Sequence, residues 1–208
     1  MEQKGLLIVI SGPAGSGKGT VCSRLLASED YVFSVSATTR APRPGEVNGK
    51  NYWFISREEF EARIAKGEML EYTEYCGNYY GTPRREAEEV LKTGKHLLLE
   101  IEVVGGTNVK KLCPEAVLIM LLPPSFAEQE ARLRGRATET EQKIRERLAR
   151  TRAELEYLPT YDYVVYNREG GVDECAEEIR AIVRAERNAV RHNPGAKEAY
   201  FGNAKTDL

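Results

Sequence analysis

The chain has few of the residues that disulfide scaffolds and zinc modules need. It contains four cysteines and two histidines in 208 residues. The cysteines show no C-x-x-C pair and no histidines at zinc-ligand spacing; they are Cys22, Cys76, Cys113 and Cys175. We interpret them as free thiols, with a disulfide or a structural metal as the less favoured alternative.

Long hydrophobic runs and an excess of one charge are also missing. After residues 1–5, the first apolar run contains only five residues, Leu6 to Ile10. A run of this length is too short for a signal-peptide core or a membrane span. The chain carries 30 Lys and Arg against 32 Asp and Glu, a net charge of −2. We therefore expect a cytoplasmic protein without nucleic-acid or membrane partners, which meets anions through local charge clusters.

What the chain does have is an alternation of apolar runs and helical patterns, at a length that suits a single domain. The runs lie at 6–10, 32–35, 97–101, 117–122 and 163–166, and the predicted helices at 18–28, 84–93, 125–134, 139–157 and 172–191. This pattern predicts an α/β fold with a parallel sheet sandwiched by helices. Residues 36–82 interrupt it and predict an inserted β-rich module with a short helix near 57–66. We expect the tail from about Ala196 to be poorly ordered.

A glycine-rich segment directly after the first apolar run predicts a phosphate-binding loop. Its residues are Gly12, Pro13, Ala14, Gly15, Ser16, Gly17, Lys18, Gly19 and Thr20. Glycines let successive backbone N–H groups converge on phosphate oxygens, Lys18 adds a positive charge, and the following helix points its positive end at the same anion. The alternative is a glycine-rich turn without a ligand, but such a turn does not require a lysine.

Two arginines suggest a second phosphate site. Arg40 and Arg43 lie three residues apart among prolines, upstream of Tyr52. Their guanidinium groups suit a phosphate dianion, although a solvated charge cluster is the other interpretation. The phosphate loop elsewhere in the chain favours the phosphate site.

The segment from Thr38 to Phe54 resembles the nucleotide-monophosphate segment of guanylate kinases. It reads Thr-Thr-Arg-x-x-Arg-x-x-Glu-x-x-Gly-x-x-Tyr-x-Phe and matches at every position. Further landmarks follow in order at Glu71, 77–82, 99–102, 132–136, 138–140 and 162–167, so that the resemblance covers roughly residues 5–187. Five positions depart from the family pattern: Ala14, Glu102, Val104, Ala137 and Arg168.

The resemblance implies roles for individual residues. It places the phosphate of GMP at Arg40, Arg43, Tyr52 and Tyr80, and guanine at Ser36, Glu71, Thr82 and Glu102. A carboxylate there can accept hydrogen bonds from the N1–H and N2 amino groups, which adenine lacks. The resemblance puts the ATP phosphates on residues 12–20 and adenine near Asn167. The implied catalytic residues are Lys18, Arg43, Arg132, Arg136 and Arg147. Arg132 and Arg136 would lie one above the other on a helix, whereas we expect Arg134, Arg145, Arg150 and Arg152 to keep the helices soluble.

The resemblance also implies an organisation and an activity. It indicates one guanylate-kinase-like domain over 1–208, with a core of 1–35, 83–125 and 160–192, a GMP-binding module of 36–82, a lid of 126–158 and a tail of 193–208. The implied reaction moves the γ-phosphoryl group of ATP to GMP or dGMP. Gly19 stands where a hydroxyl would often coordinate Mg²⁺. The ion is therefore expected to be coordinated mainly by the ATP phosphates and water. Two alternatives remain: a kinase for another monophosphate, and a non-catalytic interaction module of the same fold.

Overall fold

The computed structural model describes residues 4–75, 77–135 and 140–202. Within these ranges the strands are β1 Leu7–Ser11, β2 Tyr31–Phe33, β3 Ala37–Thr38, β4 Trp53–Phe54, β5 Met69–Tyr75, β6 Asn78–Pro83, β7 His96–Glu100, β8 Val117–Leu122 and β9 Tyr163–Tyr166. The helices are α1 Lys18–Leu25, α2 Arg57–Ala65, α3 Arg84–Lys92, α4 Val103–Leu112, α5 Phe126–Gly135, α6 Glu141–Leu155, α7 Val172–Asn188 and α8 Ala196–Phe201. Short 3-10 helices cover Leu158–Thr160 and Val190–His192.

The main sheet has five parallel strands in the order β2-β7-β1-β8-β9. Side chains alternate across the central strand β1, so Ile8 and Ile10 pack in one core with residues of α1 and α7. Leu7 and Val9 face the other side, in a core that contains residues of α3 and α4. Burial on both faces explains why these strands are nearly continuous apolar runs. The predicted α/β sandwich is confirmed.

A second sheet, β4-β3-β6-β5, lies within residues 36–83. β3 pairs parallel to β4 and antiparallel to β6, and β5 pairs antiparallel to β6 with an irregularity between Met69 and Glu71. Its own small core contains Ala37, Phe60 and Met69, and the ring of Phe60 stacks on Tyr79 at 5.1 Å. This sheet carries Glu71, Thr73 and Tyr80, which line the first of the cavities described below.

Helices α5 and α6 pack on each other beside the loop that follows β1. Leu133 of α5 and Ile144 and Leu148 of α6 form an apolar cluster, against which Ala14 of the loop packs. The side chain of Thr140 begins α6 by accepting a hydrogen bond from the Lys143 N–H. The loop and the helix pair are therefore in direct contact.

Two parts of the structure differ from the predictions. Helix α4 was not predicted, because Gly105 and Gly106 interrupt its apolar pattern. The expected disorder of the tail from Ala196 is wrong for residues 196–201, which form α8.

Cys22, Cys113 and Cys175 are free thiols, while Cys76 lies outside the described residues. In the described ranges no helix combines the length and apolarity needed to cross a bilayer.

Candidate active site

The predicted phosphate loop connects the carboxyl end of β1 to α1, and glycine is required there for two different reasons. Gly15 and Gly17 have φ angles of 86° and 85°, in the left-handed region that side chains disfavour. Gly12 is needed for close approach, since a Cβ would lie 2.1 Å from the carbonyl oxygen of Leu121. Lys18 Nζ curls back and donates to the carbonyl oxygens of Gly12 at 2.6 Å and Pro13 at 3.3 Å. The lysine therefore lies over the loop.

Side chains from outside the loop support its shape. Asn167 Nδ2 donates to the Ser16 carbonyl oxygen at 2.9 Å. Gln129 Nε2 donates to the Ala14 carbonyl oxygen at 2.8 Å and also contacts Thr151 Oγ1 at 2.8 Å. Gln129 is 1 % exposed, so these bonds are shielded from water. This role of Gln129 was not predicted, because an isolated glutamine carries no recognisable motif.

The Glu71 cavity, of about 360 Å³, lies between the second sheet and the main sheet. It is lined by Lys18, Phe33, Ser36, Tyr52, Glu71, Thr73, Tyr80, Gly81, Glu100, Ile101, Glu102 and Gly105. The structure thus brings together five of the residues to which the resemblance assigns GMP, from four different parts of the chain. Thr82 does not line the cavity, but it is buried and forms a hydrogen bond with Glu71.

Glu71 is 2 % exposed and accepts a hydrogen bond at 2.9 Å from the Thr82 hydroxyl. Burial raises its pKa to about 7, although the hydrogen bonds from Thr82 act in the opposite direction. A carboxyl group held this way suits a ligand with two adjacent N–H donors, which would stabilise its charged form.

Arg40 lies beside the aromatic side chains of the second sheet. Its Nη2 donates to both carboxylate oxygens of Glu46 at 2.9 and 3.0 Å, and its guanidinium carbon lies 5.5 Å from the centre of the Tyr52 ring. The hydrogen bond that Arg40 donates to Glu46 raises the pKa of Arg40, so this guanidinium stays charged. The Tyr52 and Tyr80 rings are 6.0 Å apart. The cation and the two phenols are therefore close enough to serve one phosphate.

A second cavity, the central cleft, has a volume of about 560 Å³. It is lined by Ala14, Lys18, Arg43, Glu102, Lys143, Glu146, Arg147, Arg150 and Glu154. Arg43 lines this cleft, whereas Arg40 packs among the aromatic residues, so the two arginines serve adjoining spaces. Lys18 and Glu102 line both the central cleft and the Glu71 cavity. Lys18 consequently stands where ligands in the two spaces would meet.

The third space, the Asn167 cavity, has a volume of about 380 Å³. Its lining comprises Glu128, Ala131, Arg132, Asn167, Arg168, Glu169, Gly170 and Val172. Arg132 pairs with Glu128 and donates at 2.8 Å to the Asn167 carbonyl oxygen. Asn167 is 4 % exposed, and its Oδ1 has no hydrogen-bond partner among the described residues.

The structure therefore separates the predicted catalytic arginines. Arg147 lines the central cleft and Arg132 lines the Asn167 cavity. Helix α5 ends at Gly135, and Arg136 lies outside the described residues, so its predicted stacking on Arg132 is not tested.

Glu100 is a site residue that the sequence analysis did not single out. It ends β7 and lines the Glu71 cavity. Burial raises the pKa of its carboxyl group, while Lys18 lowers it. A Cβ built on Gly19 would lie 3.8 Å from one of its carboxylate oxygens. An acidic residue at the carboxyl end of a predicted parallel strand was the signal that could have identified it.

The residues near Lys18 fit a divalent cation that brings most of its own ligands. Glu100 offers a carboxylate, Gly19 offers no side chain, and Thr20 is exposed at the start of α1. Across the described ranges no group of three or more His, Cys, Asp or Glu side chains is placed to hold a metal. This arrangement suits Mg²⁺, which usually keeps phosphate oxygens and water as ligands beside one or two carboxylates.

Comparison with known proteins agrees with this geometry. The family model described as Guanylate kinase matches residues 4–186. A guanylate kinase of Halalkalibacterium halodurans is 54 % identical over 186 residues, which are 89 % of this chain and 90 % of that protein. That of Bacillus subtilis is 48 % identical over 188 residues, 89 % and 91 % of the two chains.

A solved structure shows the same architecture. The crystal structure of guanylate kinase from Anaplasma phagocytophilum superposes with a TM-score of 0.76 at 34 % identity, covering 97 % of this chain and 96 % of that one. Sequence and fold thus agree over nearly the whole length, and the chain belongs to the guanylate kinase family.

Proposed function

We propose that this protein transfers the γ-phosphoryl group of ATP to GMP or dGMP, which yields ADP and GDP or dGDP. One observation carries the proposal: Lys18 lines both the Glu71 cavity and the central cleft. An acceptor held by Glu71 and a triphosphate held by the loop would therefore place their phosphates on either side of one lysine. Family membership and the names of the relatives support the same activity.

Acceptor choice rests on Glu71. Its carboxylate accepts the N1–H and N2 amino hydrogens of guanine, while Thr82 holds it in place. Ser36 and Glu102 line the same cavity and complete the base site. Adenine presents no such pair of donors, so the buried carboxylate would keep its bond from Thr82 but gain none from the base, which is costly.

The acceptor phosphate lies against Arg40, Tyr52 and Tyr80, with Arg43 reaching it from the central cleft. Guanidinium and phenol groups donate hydrogen bonds to phosphate oxygens, and the guanidinium charge stabilises the dianion. One GMP oxygen then faces Lys18. That oxygen is already a nucleophile at neutral pH, so no general base is needed.

On the donor side, the backbone N–H groups of residues 12–20, apart from Pro13, and the N-terminal end of α1 hold the phosphates. The base occupies the Asn167 cavity, where the unpartnered Asn167 Oδ1 can accept from the adenine amino group. Mg²⁺, when bound, would neutralise and orient the donor phosphates, and Glu100 could hold it through a carboxylate oxygen. Lys18, Arg43 and Arg147 spread the charge that develops on the transferred group, and Arg132 and Arg136 are assigned to the same task.

Residues 36–82 and 126–158 act as the GMP-binding module and the lid, which close over the two substrates and exclude water. The direct test is to incubate the protein with MgATP labelled at the γ-phosphate, with and without GMP. We expect label in GDP and little release of inorganic phosphate when GMP is absent. Label only in inorganic phosphate would contradict the proposal.

A further inference from the structure

Helix α6 presents three cations to the central cleft, with the carboxylates of Glu146 and Glu154 beside them. Lys143, Arg147 and Arg150 all line the cleft, and their spacing of four and three residues places them on one face of the helix. The adjoining face is buried: Ile144 and Leu148 pack with Leu133, and Thr151 contacts Gln129. The packing of the buried face therefore fixes the direction in which the cations point.

The row of three cations is long enough to follow a chain of phosphates. Seven residues of α-helix separate Lys143 from Arg150, a rise of about 10 Å. Lys18 and Arg43 line the same cleft. The cleft thus offers cations on more than one wall, as an elongated polyanion requires.

Arg150 lines the same cleft as the loop lysine, Lys18. Burial and Glu102 raise the pKa of Glu154, whereas Lys18 and Arg150 lower it. Glu102, Lys18 and Arg150 are thus all within electrostatic reach of this carboxylate. A triphosphate that extends from the loop into the cleft would pass the side of α6 that carries Arg150.

On the basis of the proposed function, we propose that Lys143 and Arg150 are phosphate-binding residues, and that with Arg147 they form a cationic stripe that binds the triphosphate of the donor nucleotide. Of these three residues, the family resemblance implies a role for Arg147. The phosphate-binding role of Lys143 and Arg150 is inferred from their position in the cleft. The three phosphates of a nucleoside triphosphate present more oxygens than Lys18 and one arginine can contact, so additional cations on α6 strengthen binding.

The competing explanation is that these side chains only keep an exposed helix soluble, or that Arg150 only pairs with Glu154 four residues later. The same helix supplies matched controls. Arg145 is 78 % exposed and pairs with Glu141, and Arg152 is exposed and is not among the residues lining the cleft. Changing these arginines removes the same charge from α6 without touching the cleft.

The experiment measures kcat and KM for MgATP at saturating GMP, together with calorimetric binding of MgATP without GMP. We expect Lys143→Gln and Arg150→Gln each to lower kcat/KM for MgATP and MgATP affinity by about tenfold, with KM for GMP changed less than twofold.

Arg150→Lys should recover part of the loss that Arg150→Gln causes. Arg145→Gln and Arg152→Gln should stay within twofold of the wild type. The dependence of MgATP affinity on salt should become shallower in the cleft variants.

Two results would overturn the proposal that the cationic stripe binds the donor triphosphate. One is that the cleft variants behave like Arg145→Gln and Arg152→Gln. The other is that Glu154→Gln lowers MgATP affinity as much as Arg150→Gln, because Arg150 would then act through that carboxylate. Failure of the proposed function looks different: the wild type would form no GDP, while the calorimetric comparison of the variants would still decide whether the stripe binds MgATP.

Discussion

At the scale of single residues, Glu71 links burial to specificity. Its carboxyl group is almost completely enclosed, and burial raises its pKa to about 7. In the proposed complex, two N–H donors of guanine stabilise the ionised form, so GMP binding lowers this pKa and releases a proton at pH values near and below 7. GMP affinity should therefore depend on pH.

The first prediction concerns that dependence. KM for GMP should rise as pH falls through about 7, because a growing fraction of Glu71 must lose a proton before it can accept both hydrogen bonds. The phosphate of GMP also titrates, at a pKa of about 6, so Glu71→Gln is the control. This variant should bind GMP more weakly and keep only the dependence that the phosphate causes. The assignment fails if wild type and Glu71→Gln show the same change of KM with pH.

The second prediction concerns Lys18. Lys18→Ala should lower kcat by at least about a hundredfold, since it removes a charge that faces the transferred group. Its two hydrogen bonds to loop carbonyls are partly exposed, so the free energy of unfolding should fall by no more than about 1.5 kcal/mol. Steady-state kinetics and urea denaturation measure the two effects. Wild-type turnover in this variant would remove Lys18 from the reaction.

At the scale of secondary-structure elements, Gln129 connects the loop to both α5 and α6. It lies on α5, donates to the Ala14 carbonyl oxygen and contacts the Thr151 hydroxyl on α6. Thr151 in turn donates to the Arg147 carbonyl oxygen. The loop and the helix that carries Arg147 are thus held by one buried chain of hydrogen bonds.

The third prediction follows from this connection. Gln129→Ala should lower the free energy of unfolding by about 1–3 kcal/mol, because the partly buried Ala14 carbonyl loses its donor and a cavity remains. Gln142→Ala is the matched control, since Gln142 is exposed on α6 and donates to Glu146 four residues later. That change should stay within about 0.5 kcal/mol. Equal effects of the two substitutions in urea denaturation would contradict a supporting role for Gln129.

The elements that could be predicted from sequence are those with a local signal. Strand β8 was predicted at its observed bounds, and α3 within one residue, because an apolar run and an amphipathic pattern are local properties. Helix α4 was missed since Gly105 and Gly106 locally disfavour a helix, and its packing against the main sheet outweighs that preference.

The same distinction holds for the site. The phosphate loop and Glu71 belong to motifs of adjacent or regularly spaced residues, so the sequence indicated them. Gln129 and Arg150 belong to no motif, and their neighbours are more than 20 residues away along the chain or lie across a cleft. The distribution of Arg132 and Arg147 between two cavities likewise depends on how α5 and α6 pack, which no local pattern encodes.

At the scale of the whole molecule, the second sheet and the α5–α6 pair have apolar clusters separate from the two cores of the main sheet. Units with their own cores can move as bodies when ligands bridge them. This organisation supports the proposal that the module and the lid close over the substrates.

The fourth prediction tests closure. Small-angle X-ray scattering should give a smaller radius of gyration with GMP and a non-hydrolysable MgATP analogue together than with either alone. AMP in place of GMP is the control and should not produce the additional contraction, because it lacks the donors that Glu71 requires. An unchanged radius with both ligands bound would show that catalysis does not involve large closure.

The most direct test of the account compares acceptors. Formation of ADP from MgATP should be measured with GMP, dGMP, AMP and dTMP supplied separately, and kcat/KM determined for each. We predict that GMP and dGMP are used and that AMP is used at least about a thousandfold less well, because a site built around hydrogen-bond acceptors rejects a base without the matching donors. If kcat/KM for AMP or dTMP equals or exceeds that for GMP, the assignment of the Glu71 cavity to guanine is wrong.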